Sequence, residues 1–490
     1  MSAAAPRLST RFINPNQEHL PHWMSPEEGY TITDMLSLYF PNGPIGKTVA
    51  CYGASGVSQI LSVNCGFYQI NHVLKQMLGL PAMDTGIDKS MVAGGKGNTI
   101  PSSFLGALGE GYERFAGILK AFSHDLEMLT GSYATLSKRG VPCLHPSELP
   151  LFHEEQFRQP GFLFDRFDED ATVRWVEGHR LVSGDPVWVP AQIALFFYLQ
   201  DPSEAMIAYA ASCGMSAHVD RNLAIYNGIT ELIERDGMMV AWYARIPPAR
   251  IEFDRPLVDR EFERYRARLD KLPGNYSCYL HQLDMPDLYT VSTVEIVDHM
   301  NQYGYYAGGA AASDIDEAIE AALVEYGQAE AQLKLASLAP DRMAATGARY
   351  FFWAEPDKPV HEMSSFLEHL GYYGHPVNWP ALKWFHEEGG TIPLSSLPEP
   401  VAYRDSAHKL EVLASKLGRY GIDPIVIDQS PPQMRQLAAV KVIIPELAHP
   451  HVSSKPYLGN PRIYEMRMRV GLSDRPMTYD EIQPGPVPFP

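Results

Sequence analysis

The pattern E-x-x-E-R occurs twice in this chain, as Glu110-Gly-Tyr-Glu113-Arg114 and as Glu231-Leu-Ile-Glu234-Arg235. On an α-helix, positions i, i+3 and i+4 share one face, so each copy presents two carboxylates and one guanidinium together. Four clustered carboxylates repel, and two arginines do not neutralise them. An oxygen-rich acidic set of this kind suits Mg²⁺, which takes carboxylates together with phosphate oxygens. The planar forks of Arg114 and Arg235 match phosphate oxygens bidentately. With both helices facing one cavity, the four glutamates would hold Mg²⁺ and the arginines would meet phosphate, a nucleotide site without a Walker loop. The plainer alternative is two amphipathic helices whose charged faces lie in water.

The elements that must position these residues are legible from periodicity. At 100° per residue, Leu105, Leu108, Tyr112, Phe115, Ile118, Leu119 and Phe122 form one arc, with Glu110, Glu113 and Arg114 opposite. The second copy sets Ile225, Ile229, Leu232, Ile233 and Val240 against Asn227, Glu231, Glu234 and Arg235. It runs directly into Gly237-Met-Met-Val-Ala-Trp242, an apolar stretch expected to be buried. Helix glycines cost roughly 1 kcal/mol each relative to Ala, yet Gly106 and Gly117 lie on the first acidic stripe, where they are expected to let a ligand approach the backbone. Short β-rich runs, Pro186-Val-Trp-Val-Pro190 and Pro424-Ile-Val-Ile-Asp428, alternate with helical patterns, which reads as α/β or α+β. A long helix is expected from Ser313 to about Leu338, opened by Ser313 with Asp316 three positions on. A shorter one is expected over Tyr68–Leu80, with turns at Pro41–Pro44 and at Gly53–Gly56; no Lys-Ser or Lys-Thr follows those glycines in phosphate-loop register. Pro484, Pro486, Pro488 and Pro490 preclude helix or sheet at the end of the chain and predict an extended polyproline II tail.

Composition excludes several classes. A net charge of −18 over 490 residues argues against a nucleic-acid partner. The sequence has no apolar run approaching the roughly 18 residues of a membrane span, and Met1–Thr10 lacks the apolar run of a signal peptide, so a cytoplasmic location away from membranes is expected. The 5 cysteines show no C-x-x-C pair, which fits reduced thiols rather than a disulfide framework. His361-Glu362 and His369 are a decoy, because the second His comes eight positions after the first rather than four.

Further residues make the pattern specific. Ala93-Gly-Gly-Lys-Gly97 with Gly106 to Arg114 resembles the first ATP motif of the YcaO family, and Gly214-Met-Ser-Ala217 with Asn227 to Asp236 resembles its second. Ser183 to Pro190, the Ala-rich helix through Glu325 and Gln328, Gly421 to Asp428, Val442 to Leu447 and Leu458 to Arg462 follow in the family's order. The resemblance covers roughly residues 86–490 and departs from the pattern at Gly106, Leu223 and Asn227. It implies three α/β subdomains around a central ATP site, with Lys96, Glu110, Arg114, Ser216, Asn227, Glu231 and Arg235 on ATP. Glu110, Glu113, Glu231 and Glu234 would bind Mg²⁺. It divides the chain into an N-terminal segment of unassigned role (1–85), a YcaO domain (86–480) and a proline-rich tail (481–490).

The activity the resemblance implies is ATP-dependent cyclodehydration, turning Cys, Ser or Thr of a ribosomal precursor peptide into thiazoline or oxazoline through phosphorylation of the backbone amide oxygen. Azoline-forming members of the family end in a P-x-P-x-P tail that reaches the active site, which gives Pro486, Pro488 and Pro490 a catalytic role here. The C-terminal carboxylate of Pro490, or a nearby His, is expected to accept the proton. Residues 1–85 are too few for a fused E1-like domain, so the implied partners are a separate E1-like or ThiF-like leader-binding subunit and a flavin dehydrogenase, with room for a homodimer. Two alternatives stand beside this: a family member making a thioamide or amidine, and a degenerate scaffold subunit of a synthetase complex.

Overall fold

The computed structural model describes residues 45–52, 61–67, 92–97, 100–123, 126–196, 198–209, 211–271, 276–300, 302–338, 354–363, 367–431, 437–451, 454–483 and 485–490, with backbone alone for 45–52 and 61–67. The helix expected over Tyr68–Leu80 and the turns at Pro41–Pro44 and Gly53–Gly56 lie outside the described residues.

Three sheets carry the α/β architecture. The first joins β1 (Ile45–Tyr52), β2 (Leu61–Phe67) and β3 (Val92–Gly97). The second contains β4 (Met128–Gly131), β5 (Val173–Arg180), β6 (Pro186–Pro190), β7 (Met215–His218), β13 (Ile425–Asp428) and β14 (Ala438–Ile443), in the order β4-β5-β13-β14-β7 with β6 on β5. The third runs β11 (Tyr305–Ala312), β10 (Tyr289–Ile296), β9 (Tyr276–His281), β8 (Ala249–Glu252), β12 (Thr391–Pro393). Pairings are antiparallel except β8 with β12. Both β-rich runs of the sequence form strands, β6 and β13.

The two motif helices each follow an edge strand. Helix α1 (Ile100–Ala121) packs on β3 and also reaches β7, while α2 (Arg221–Tyr243) packs on β7, β14 and β11. Their apolar arcs are the buried ones: Leu108, Tyr112, Phe115 and Ile118 on α1, and Ile225, Ile229, Leu232, Ile233 and Val240 on α2. The last two turns of α2, Met238 to Tyr243, are buried in one core with β9, β10, β11 and helix α3 (Ile315–Leu338). Among the described residues no helix is long and apolar enough to cross a membrane.

Helix α3 falls where the sequence places it, but its cap differs from the expected one. Asp314, not Ser313, accepts the N–H groups of Asp316 (2.9 Å) and Glu317 (3.2 Å). Ser313 Oγ is engaged by the Tyr403 hydroxyl at 2.8 Å, and Asp316 pairs with Arg255 at 2.7 Å instead of reaching back to a cap. A carboxylate is the stronger acceptor beside the positive end of a helix.

Candidate functional site

Strand β3 reads Val-Ala-Gly-Gly-Lys-Gly because α1 lies directly on it. A Cβ at Gly95 would stand 1.8 Å from the Ser103 carbonyl oxygen and 2.2 Å from the Ala107 nitrogen. This close approach lets the Gly94 N–H donate to Glu110 Oε2 at 2.9 Å. Arg114 then bridges Glu110 (3.1 Å) and Glu113 (3.3 Å), and its guanidinium sits over the Phe196 ring at 5.4 Å. Both glycines of the acidic stripe pack closely, and at Gly117, which is buried, this corrects the expectation of ligand approach. A Cβ at Gly106 would meet Gly95 Cα at 3.3 Å, and one at Gly117 would meet Met215 Cε at 2.4 Å.

The second motif repeats the device. Gly214, at φ +81°, precedes β7 and donates its N–H to Glu231 Oε2 at 2.8 Å. Asp220 caps α2 through the N–H groups of Asn222 and Leu223. One turn after Glu231, Arg235 lies 3.5 Å from Glu234.

The two motifs meet. Burial pushes the Glu113 carboxyl well above its usual range, and the charges of Glu110 and Glu231 push the same way against Arg114. Burial likewise raises Glu234 to about 7, with Glu231 adding and Arg235 opposing. Lys96 pairs with Glu325 on α3 and interacts with Glu234, Glu110 and Glu231. Its side chain is 35% exposed, yet enough protein surrounds the ammonium that burial lowers its pKa. The charged faces of these helices are therefore not simply in water: Glu113, Glu234 and Arg235 are 14%, 15% and 17% exposed.

Two further ionisable residues join this cluster: Lys441, not singled out from sequence, and Glu325, which the family resemblance named without a role. Lys441, buried on β14, interacts with Glu231 and Glu113, and burial brings it down to about 8. Glu325 is the counterion of Lys96. A lysine inside the apolar run Ala-Ala-Val-Lys-Val-Ile was the available signal for the first.

Residues 485–490 form neither helix nor strand and are packed into the core rather than hanging free. Val487 and Phe489 are buried, with Phe489 against the rings of Phe385 and His281. The carbonyl oxygens of Gly485, Pro486 and Pro488 accept from Trp242 Nε1 (3.2 Å), the Tyr373 hydroxyl (2.8 Å) and the Tyr305 hydroxyl (2.9 Å). The Pro490 oxygen accepts from Arg235. Pro490 thus joins the motif cluster, whereas Pro486 and Pro488 are held on the approach to it. His369, on α4 (Leu367–Tyr373), is held against the backbone of Val487 and Phe489, and burial lowers its pKa to about 4. His361 and Glu362 belong to a separate short turn. Ser216 is buried on β7, and Asn227 is exposed one turn before Glu231.

The residues present fit Mg²⁺ and a polyphosphate. Among the described residues no three His, Cys, Asp or Glu side chains enclose a metal by themselves; Mg²⁺ is usually held by one or two carboxylates together with waters and substrate phosphate. The raised Glu113 and Glu234 are carboxylates that a cation would relieve.

Comparison with known proteins agrees with this geometry. The family described as YcaO cyclodehydratase, ATP- and Mg²⁺-binding, matches residues 94–448. A comparison with curated proteins finds no match. Among solved structures, a heterocyclase in complex with substrate and cofactor superposes with a TM-score of 0.70 at 19% identity, covering 94% of this chain and 57% of that one. The Methanopyrus kandleri YcaO bound with AMPPCP and Mg²⁺ gives 0.52 at 18% identity, covering 82% and 86%. The E. coli microcin synthetase McbBCD complex gives 0.56 at 14% identity, covering 90% and 96%. The chain thus spans little more than half the length of the heterocyclase. With the match running through both E-x-x-E-R helices and over well more than half of its residues, the chain belongs to the YcaO family.

Proposed function

We propose that the chain is an ATP- and Mg²⁺-dependent peptide cyclodehydratase that converts Cys, Ser or Thr residues of a ribosomal precursor peptide to thiazolines or oxazolines. The observation that carries this reading is the meeting of both E-x-x-E-R motifs, Lys96 and the Pro486–Pro490 segment at Arg235, a phosphate-type charge cluster beside a fixed length of chain. In this reading a peptide side chain attacks the preceding amide carbon, and ATP with Mg²⁺ supplies the phosphoryl group that lets the amide oxygen leave as phosphate. The chain's own task is positioning and charge. Glu110, Glu113, Glu231 and Glu234 would hold Mg²⁺; Lys96, Arg114 and Arg235 would face the phosphates; Ser216 and Asn227 would complete the nucleotide side. Pro486, Pro488 and Pro490 would aim the tail, and the proton acceptor is placed at Pro490 or His369.

The catalytic domain is assigned to 86–480 and the tail to 481–490. The role of 1–85 includes at least two strands, β1 and β2, that extend the sheet containing Lys96. The relatives support the ligands: one is bound with AMPPCP and Mg²⁺, another is in complex with substrate and cofactor, and a third is a synthetase complex. On the family resemblance and the sequence we further assign the chain a separate leader-binding subunit of the E1-like or ThiF-like kind, a flavin dehydrogenase acting afterwards, and a cytoplasmic setting.

The test is ATP turnover and precursor mass with the partner subunit present, comparing the full chain with Glu113→Gln and with a chain lacking residues 486–490. A peptide lighter by one water per modified residue, made only by the full chain, supports the proposal. An oxygen-to-sulfur exchange would move the reading to thioamide formation. ATP-independent behaviour without any mass change would leave a scaffold subunit, the reading motivated by Leu223 and Asn227.

A further inference from the structure

We propose that Lys441 is a positioning residue for the second E-x-x-E-R motif: its ammonium clamps the turn that presents Gly214 to Glu231 and supplies the cation that lets Glu113 and Glu231 face each other. This rests on the nucleotide-site reading above. Lys441 lies on β14 opposite Met215 of β7, 4% exposed. Its Nζ donates to the carbonyl oxygens of Ala211 (2.8 Å) and Cys213 (2.7 Å), the residues just ahead of Gly214. The neighbouring Val442 N–H donates to the Gly214 oxygen at 2.7 Å. Three bonds from two consecutive residues of β14 thus fix the turn whose next N–H, that of Gly214, holds Glu231. Gly214 has no room to shift, since a Cβ there would stand 2.4 Å from the Val442 oxygen.

Charge points the same way. Glu113 is paired with Arg114 and Glu234 with Arg235, and Lys96 is engaged by Glu325. Glu231 has the Gly214 N–H and interacts with two cations from outside the motifs, Lys96, which Glu325 already engages, and Lys441. Removing the Lys441 ammonium leaves a half-buried carbonyl and a buried one without their donor and two interacting carboxylates with less compensation. The expected consequence is loose Glu231 geometry, and so weaker Mg²⁺-dependent nucleotide binding, rather than a change in how peptide is recognised. Groups that orient ligands from behind typically change metal affinity by about 10–100-fold when removed.

The experiment titrates Mg²⁺ into the full-length protein with AMPPCP, following binding calorimetrically, for wild type, Lys441→Met and Lys441→Arg, with thermal melts of each. The expected result is a roughly 10-fold or greater rise in the Mg²⁺ needed for half-maximal nucleotide binding in Lys441→Met, substantially rescued by Lys441→Arg, while the KM for peptide moves much less than that for ATP. An unchanged Mg²⁺ titration in Lys441→Met, with only a lower melting temperature, overturns the proposal and leaves Lys441 a structural residue. The apo melts decide the charge argument independently of any nucleotide. Lys441→Met combined with Glu113→Gln should melt above Lys441→Met alone, because the surplus carboxylate is gone; additive losses overturn it. Should Lys441→Met alone not yield folded protein, the double variant is expected to restore folding, and its failure to do so counts against the proposal. Absence of nucleotide binding in wild type would refute the cyclodehydratase reading, while the apo melts would still decide the Lys441 pairing.

Discussion

Glu231 accepts the Gly214 N–H at 2.8 Å, in the same way that Glu110 accepts the Gly94 N–H at 2.9 Å. In both halves the first glutamate of the motif is tied to a glycine 16 or 17 residues upstream, at the start of the strand before its helix. The second glutamate is left with its arginine and with raised proton affinity. The repeat in the sequence is therefore a repeat of a strand–helix unit. The first carboxylate anchors the helix to its strand, and the second lies in the shared charge cluster.

Gly214→Ala should damage the site through Glu231. The residue sits at φ +81° and a Cβ would meet the Val442 oxygen at 2.4 Å. A backbone strain of roughly 1–3 kcal/mol is expected before any relief of the clash. Chemical denaturation should show that loss, and calorimetry should show weaker nucleotide binding; unchanged values in both would contradict the role given to the turn.

Phe489→Ala should behave as a core truncation, not as trimming of a loose end. The ring is 1% exposed between Phe385 and His281. A loss of about 3–5 kcal/mol is expected, the range for buried Phe to Ala. The Pro490 oxygen should leave Arg235 with it, so product formation should fall more than ATP binding. Unaltered stability would mean that the tail is not seated in solution.

Arg462→Met should be strongly destabilising although it belongs to neither motif. Arg462 donates to both oxygens of Asp236, at 2.9 and 2.8 Å, next to Arg235 in the chain, and also pairs with Asp284. Removing one partner of a buried pair costs about 3–5 kcal/mol because it strands the other charge. Asp236→Asn in the same chain should recover part of that loss in urea unfolding.

Glu320 on α3 makes stability depend on pH. Burial first, then the charges of Asp259, Asp316, Glu317 and Asp314, pushes its carboxyl up to about 8. A raised carboxyl binds protons more tightly folded than unfolded, so its contribution is present below pH about 4.5 and is lost as pH rises towards 8. Glu320→Gln should therefore stabilise the chain at pH 8 by on the order of 2 kcal/mol, allowing for partial exposure, and change little at pH 4. Equal melting shifts at both pH values would contradict the assignment.

The local patterns were strong where one element answers for them. Spacing alone put each E-x-x-E-R set on one helix face, burial followed the apolar arcs of α1 and α2, and β6, β13 and α3 fall where composition places them. Gly117 misled because periodicity gives the face of a residue but not what lies against it. Gly106 meets a strand of its own unit, and Gly117 meets Met215, nearly one hundred residues on. Ser313 was chosen as cap over Asp314 by motif spacing, and only the competing Tyr403 hydroxyl shows why the carboxylate takes that place.

By itself the sequence determined the helix faces, the paired acidic motifs, the YcaO resemblance and a proline-rich segment barred from helix and sheet by its missing donors and fixed φ. The tertiary structure alone decided that both motifs join one charge cluster, that Lys441 and Glu325 join it, and that the tail is buried with the Pro490 oxygen on Arg235. The reason is separation along the chain. Side-chain spacing within a helix is set by backbone geometry, whereas Arg235 and Pro490 are 255 residues apart and meet only through the packing of three sheets and their helices.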